Sequence, residues 1–165
     1  MEKVLSVIKE NIVYIILIIV VIGIKAYVVS PIKVNGSSME TTLNDKDIMI
    51  LNEITYRFND IERFDIVVVK TDSEYLIKRV IGLPGEIIRY EDNELYINNK
   101  KVAENFSHEK TNDFETRVEE GCYFVMGDNR INSTDSRILG AIPKKDIQGK
   151  TNFIIYPFNR FGKVE

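Results

Sequence analysis

The chain has 165 residues, of which 44% are hydrophobic and 28% charged, with a formal net charge of −3. That length suits one domain with a sizeable core, and a balanced charge with no basic block argues against nucleic acid as a partner. With a single histidine, His108, and a single cysteine, Cys122, the chain has no internal disulfide and too few soft ligands for a zinc site.

Residues 12–24 are apolar throughout, and continuing past Lys25 to Val29 gives 18 residues with one charge. That is enough helix to cross a bilayer, with Lys25 near the end, where its stem can reach the interface. A transmembrane helix is therefore expected over 11–29, preceded by a short tail, 1–10. A cleavable targeting peptide is the rival, but Ile24-Lys25-Ala26-Tyr27 makes a poor small-x-small cleavage site, which favours an uncleaved anchor.

After Ser30-Pro31 the pattern turns to strands. Residues 47–51, 66–69 and 75–81 are β-branched and apolar runs separated by polar turns, and Leu83-Pro84-Gly85 is a turn signal. Residues 94–102 read as a hairpin turning at Asn98-Asn99. The polar, aperiodic stretch 103–120 reads as a loop or lid. Residues 123–126 resume a buried strand, with Cys122 a small buried residue at its start, and 142–143 and 153–157 close the sheet. The fold class is therefore mainly β: an antiparallel, barrel-like sheet domain over 30–165, with a small β excursion at 86–120, preceded by one N-terminal transmembrane helix.

The chemistry centres on Val34-Asn35-Gly36-Ser37-Ser38-Met39-Glu40-Thr41-Thr42-Leu43, where small residues and hydroxyls lie between apolar Val34, Met39 and Leu43. A serine nucleophile needs a base. His108 lies in a polar run and is expected to be solvated, which leaves few routes to a histidine triad. Lysine is the other common base. In the strand 75–81, Leu76, Lys78 and Val80 share one face and Ile77, Arg79 and Ile81 the other. Aliphatic neighbours disfavour the charged amine, as a base working near neutrality requires. The same pattern also suits a lysine guarding an edge strand.

Four boxes carry a resemblance to the type I signal peptidases, membrane-anchored serine proteases with a Ser-Lys dyad. Residues 36–43 look like their G-x-S-M-x-P-T-L box, and 63–69 like their R-G-D-I-V-V-F strand. Lys78-Arg79-Val80-Ile81-Gly82-Leu83-Pro84-Gly85 matches the lysine box, and residues 127–137 match G-D-N-R-x-N-S-x-D-S-R. Thr41 stands where the family usually has proline, which would leave the turn after the nucleophile looser, and Phe64 stands where it usually has glycine.

The resemblance implies an endopeptidase that removes signal peptides from secretory precursors, with its catalytic part outside the cytoplasm and the bilayer as a partner. It needs no cofactor or metal. Ser38 would be the nucleophile and Lys78 the base. Ser133 would orient the Lys78 amine, Asp135 would pair with Arg137, and Asp128 would meet Arg79. Some relatives place an oxyanion-binding serine where this chain has Gly36, so the backbone N–H of Ser38 is the expected donor here. Val34, Gly36, Met39, Leu43, Leu76 and Ile77 are expected around the substrate, although such apolar positions serve equally as core. Two rivals remain. A self-cleaving repressor of similar fold would need a DNA-binding domain in place of the apolar segment. A membrane-tethered binding module would carry Thr41 and Phe64 as signs of decay.

Overall fold

The computed structural model describes residues 11–21, 23, 29–106 and 108–164. Residues 11–21 and 23 are helical, and the apolar side chains from Ile12 to Val21 are exposed. Among the described residues no helix is long and apolar enough to cross a membrane. The expected tail 1–10 and much of the second half of the expected span lie outside the described residues, and Val29 already belongs to a strand.

Twelve strands follow among the described residues: β1 (Val29–Lys33), β2 (Ile48–Asn52), β3 (Ile66–Lys70), β4 (Tyr75–Gly82), β5 (Ile87–Glu91), β6 (Glu94–Ile97), β7 (Lys100–Val102), β8 (Phe114–Arg117), β9 (Cys122–Met126), β10 (Ile142–Pro143), β11 (Ile147–Tyr156) and β12 (Gly162–Lys163). Eight of them form a curled antiparallel sheet in the order β1-β2-β11-β3-β4-β9-β10, with β12 paired to β11. The other four, β7-β6-β5-β8, form a second antiparallel sheet.

The central strands are buried on both faces, and alternation sends their side chains into different cores. Val80, Tyr123 and Val125 join Val67, Val69 and Ile147 in one cluster. Their strand neighbours Ile81, Phe124 and Met126 join Ile88, Tyr90 and Leu95 of the small sheet in another. Val34, Met39, Leu43, Met49, Ile66 and Ile154 form a third, beneath the serine stretch. Because β4 lies between β3 and β9, Lys78 is on an interior strand, and the edge-strand alternative falls.

Several expectations need correction. Residues 153–157 do not close the sheet. Residues 153–156 are the end of β11, which starts at Ile147 and runs through the middle of the sheet, between β2 and β3. The excursion is a four-stranded sheet rather than a hairpin with a loop. Its 94–102 hairpin turns at Asn98 and Asn99, both at positive φ (50° and 66°), as primed two-residue turns require. Within 103–120, Phe114 and Thr116 alternate inward in β8, which pairs with β5.

The other described residues of that stretch are tied to the body rather than forming a free lid. The Phe106 ring covers the Arg79 guanidinium at 3.9 Å from its centroid, and the Glu109 N–H donates to the Asp128 carbonyl at 3.0 Å. His108 is correspondingly not solvated. Its Nε2 lies 3.2 Å from Glu104, its Nδ1 lies 2.7 Å from the Glu109 carbonyl, and its side chain is 11% exposed. Cys122 is at the start of β9, but only half-buried.

Candidate active site

The serine stretch leaves the end of β1 and turns tightly. Gly36 takes φ +85°, which favours glycine, and its N–H donates to Asp45 Oδ1 at 2.9 Å. The Glu40 N–H donates to the Ser37 carbonyl at 3.0 Å and the Leu43 N–H to the Met39 carbonyl at 2.8 Å. Met39 and Leu43 sink into the core at 1% and 0% exposure, anchoring the segment on either side of its polar residues.

Ser38 faces Lys78, whose Nζ lies 2.6 Å from Ser38 Oγ across 40 residues of sequence. Lys78 stands opposite Val67 on β3 and is 2% exposed. Burial pushes its amine down to about 8, against the opposing pull of the Asp135, Glu74 and Asp128 carboxylates. The ammonium donates to Oγ, whereas the neutral amine can accept the hydroxyl proton. At that pKa an appreciable fraction of the amine is neutral near pH 7, so the pair can exchange a proton there.

Behind the pair, on the other face of β4, Arg79 meets Asp128 in a fully buried, two-pronged ion pair: Nε to Oδ1 at 2.9 Å and Nη2 to Oδ2 at 2.8 Å. The Thr42 hydroxyl donates to Asp128 Oδ2 at 2.5 Å and accepts from Arg79 Nη2 at 3.2 Å. The turn after Ser38 is thereby tied to the lysine strand through a buried, bidentate charge pair, whose two parallel bonds fix its geometry.

Asp135 binds Arg137 through Nε and Nη2, each at 2.8 Å, and accepts from the Gly127 N–H at 3.0 Å. Burial alone would raise its carboxyl, but Arg137, the Gly127 N–H and Ser133 more than reverse this and hold it below the usual range. Ser133 is not joined to Lys78. Its buried Oγ makes no hydrogen bond of good geometry, although it lies near enough to Asp135 to favour the carboxylate.

Two residues without an assigned role reach the nucleophile stretch. The Asn129 N–H donates to the Ser38 carbonyl at 3.1 Å and its Nδ2 to the Ser37 carbonyl at 3.1 Å, while Asn132 Nδ2 donates to Ser37 Oγ at 2.8 Å. Both belong to the 127–137 box, so their letters were visible, but partners more than 90 residues away were not. Gly127 permits the approach, because a Cβ there would sit 2.3 Å from the Ser38 carbonyl oxygen.

A groove of about 660 Å³ opens beside the pair. Val34, Met39, Leu76 and Ile77 line it together with Ser38 and Lys78, whereas Gly36 and Leu43 do not. Leu43 is pure core. Ile32, Leu51 and Val68 supply further apolar wall that sequence reading passed over.

The two departures from the family boxes both sit in the left-handed region, Thr41 at φ +84° and Phe64 at φ +71°. Proline cannot adopt Thr41's conformation. Phe64 takes a backbone shape that glycine adopts freely, and its ring packs against Phe106 at 5.3 Å. The expectation of a looser turn at Thr41 therefore meets a turn of different shape, held from both sides.

An apolar groove beside a serine hydroxyl and a buried amine suits a peptidase, and the protein is a serine peptidase, a hydrolase of peptide bonds. Residues 6–156 match the family model described as signal peptidase, peptidase S26, and the chain belongs to that family. It is 44% identical to signal peptidase I V of Bacillus subtilis (strain 168), over 80% of this chain and 89% of that protein. It is 38% identical to a signal peptidase I of Bacillus amyloliquefaciens, over 92% and 89%. The crystal structure of a signal peptidase I from Enterococcus faecalis V583 superposes with a TM-score of 0.51 at 36% identity, over 56% of this chain and 97% of that one.

Proposed function

We propose that this protein cleaves N-terminal signal peptides from secretory precursors, using Ser38 and Lys78 as a catalytic dyad. Neutral Lys78 takes the Ser38 proton as Oγ attacks the scissile carbonyl. The backbone N–H of Ser38 steadies the oxyanion, since Gly36 offers no hydroxyl for that task. Lys78 returns its proton to the leaving amine, and the signal peptide stays on Ser38 as an ester. Lys78 then takes a proton from water as it attacks the ester, and returns that proton to Ser38 Oγ as the C–O bond breaks, releasing the signal peptide as its carboxylate and restoring neutral Lys78. Arg79, Asp128, Asp135 and Arg137 hold the strand and loop that carry these groups.

The substrate lies extended along the groove, adding main-chain hydrogen bonds to a neighbouring strand. The shallow apolar walls at Val34, Met39, Leu76 and Ile77 favour small, alanine-like residues at the first and third positions before the cut. The apolar N-terminal segment anchors the enzyme in the cell membrane by a single pass, with the domain on the extracytoplasmic side. That confines enzyme and membrane-bound precursor to one surface and raises their effective concentration.

The observation that carries this reading is the 2.6 Å separation of Lys78 Nζ from Ser38 Oγ at the floor of the groove. The test is cleavage of a synthetic precursor with an Ala-x-Ala site in detergent micelles. Wild type cuts after the second alanine and Ser38→Ala does not. Cleavage by Ser38→Ala at the wild-type rate removes Ser38 as the nucleophile, and a folded wild type that does not cleave removes the reading in favour of a tethered binding module.

A further inference from the structure

The nucleophile stretch is a closed loop. The Val34 N–H donates to the Asp47 carbonyl at 2.8 Å and the Lys46 N–H to the Val34 carbonyl at 2.9 Å, so the segment between them leaves and re-enters the sheet at one point. Within it Thr41 takes φ +84°, a costly conformation for a β-branched residue that persists only when its surroundings impose it. On one side the Thr42 hydroxyl is held by Arg79 and Asp128. On the other, Arg160 reaches in from the turn Phe158–Arg160 between β11 and β12, 118 residues away.

Arg160 Nη2 donates to the Thr42 carbonyl at 2.8 Å and pairs with Asp47 Oδ2 at 3.1 Å. Asp47 is 2% exposed, and the same oxygen accepts the Asn44 N–H at 2.9 Å. Asp47 thus fixes the loop's entry through its carbonyl and its exit through its carboxylate, and Arg160 couples both to the residue after the strained one.

We propose that Arg160, seated on Asp47, is a positioning residue for the Ser38 reaction: it holds Thr41–Thr42 in the left-handed turn that presents Ser38 to Lys78. This rests on the dyad reading above. The hairpin of β11 and β12 presets the guanidinium, with Ile154 paired to Gly162. One nitrogen, Nη2, serves both the Thr42 carbonyl and the Asp47 carboxylate, and the guanidinium keeps its charge at every working pH. Misplacing a nucleophile by about 1 Å costs on the order of a hundredfold in rate.

The test compares full-length wild type, Arg160→Gln, Arg160→Lys, and Arg160→Gln with Thr41→Gly, on the Ala-x-Ala precursor. Arg160→Gln should lower kcat about ten- to a hundredfold, with KM changed less than about twofold because the groove walls are untouched. Lysine should restore part of kcat. Thr41→Gly should also recover part of it in the Arg160→Gln background, because glycine adopts φ +84° without Arg160.

A merely structural arginine would lower the melting temperature, leave kcat per folded molecule intact, and show no rescue by glycine at 41. Either an unchanged kcat or an unrescued one overturns the proposal. If Arg160→Gln melts below the assay temperature, Arg160→Lys decides alone, with kcat reduced at unchanged KM expected and wild-type kcat fatal to the idea. Failure of wild type to cleave would refute the dyad reading instead, and so is distinguishable.

Discussion

Replacing Lys78 by methionine keeps most of the side-chain length and removes the amine. In the folded protein burial holds that amine at about 8, against an ordinary 10.5. Between those values the folded state binds fewer protons than the unfolded chain, so stability rises with pH across that window. Below about 8 the folded state carries the whole cost of a buried ammonium, on the order of 3 kcal/mol. Removing the amine relieves that cost near neutrality and gives up one hydrogen bond to Ser38, about 1 kcal/mol. Lys78→Met should therefore be more stable than wild type at pH 7 by about 2 kcal/mol, or about 4–8 °C in Tm. It should also lack the wild-type gain in stability between pH 8 and 10.5. Its cleavage of an Ala-x-Ala precursor should fall to background. Wild-type kcat/KM should climb about tenfold per pH unit on an acid limb and level off above about 8. Thermal unfolding by circular dichroism and peptide cleavage from pH 6 to 10, on the same preparations, measure both. Substantial cleavage by Lys78→Met, or a flat wild-type profile from pH 6 to 9, would refute the role given to the amine. Lys78→Arg should be inactive too, since a guanidinium stays charged and cannot take the serine proton.

Ser38→Ala should abolish cleavage while Ser37→Ala keeps most of it, because Ser37 Oγ is engaged by Asn132 rather than by Lys78; equal loss from both, with folding intact, would reverse the assignment. Gly127→Ala should cut kcat about a hundredfold and cost roughly 1–3 kcal/mol, since its Cβ meets the Ser38 carbonyl at 2.3 Å; a near-normal enzyme by kinetics and melting would contradict that contact. The Glu104 carboxylate chiefly raises the pKa of His108, so the histidine's contribution is full below its ordinary 6.5 and fades as pH rises through the higher folded value. His108→Gln should thus lose about 1.5 kcal/mol at pH 5.5 and less at pH 9, as denaturant titration at the two pH values would detect; an equal loss at both would mean the imidazolium contributes nothing.

The sequence alone determined how the lysine strand divides its side chains between two faces, though not that both would be buried. Period-two alternation set Leu76, Lys78 and Val80 apart from Ile77, Arg79 and Ile81, and the turn at Asn98-Asn99 was readable because paired asparagines tolerate positive φ. The four boxes likewise named Ser38 and Lys78 before any geometry was known. Periodicity says which way a side chain points but not what it meets. That β11 runs between β2 and β3 is a non-local pairing, invisible in a run that by itself resembles a closing strand. The segment 103–120 looked like a free loop because its burial rests on scattered contacts, Phe106 over Arg79 and Thr111 on Arg130, rather than on a repeating apolar face. His108 misled for the same reason: a polar neighbourhood in sequence became a half-buried contact with the Glu104 carboxylate in space. Only the tertiary structure could bring Asn129, Asn132 and Arg160 to the nucleophile stretch, because hydrogen-bond partners 92 to 118 residues apart leave no local pattern to read.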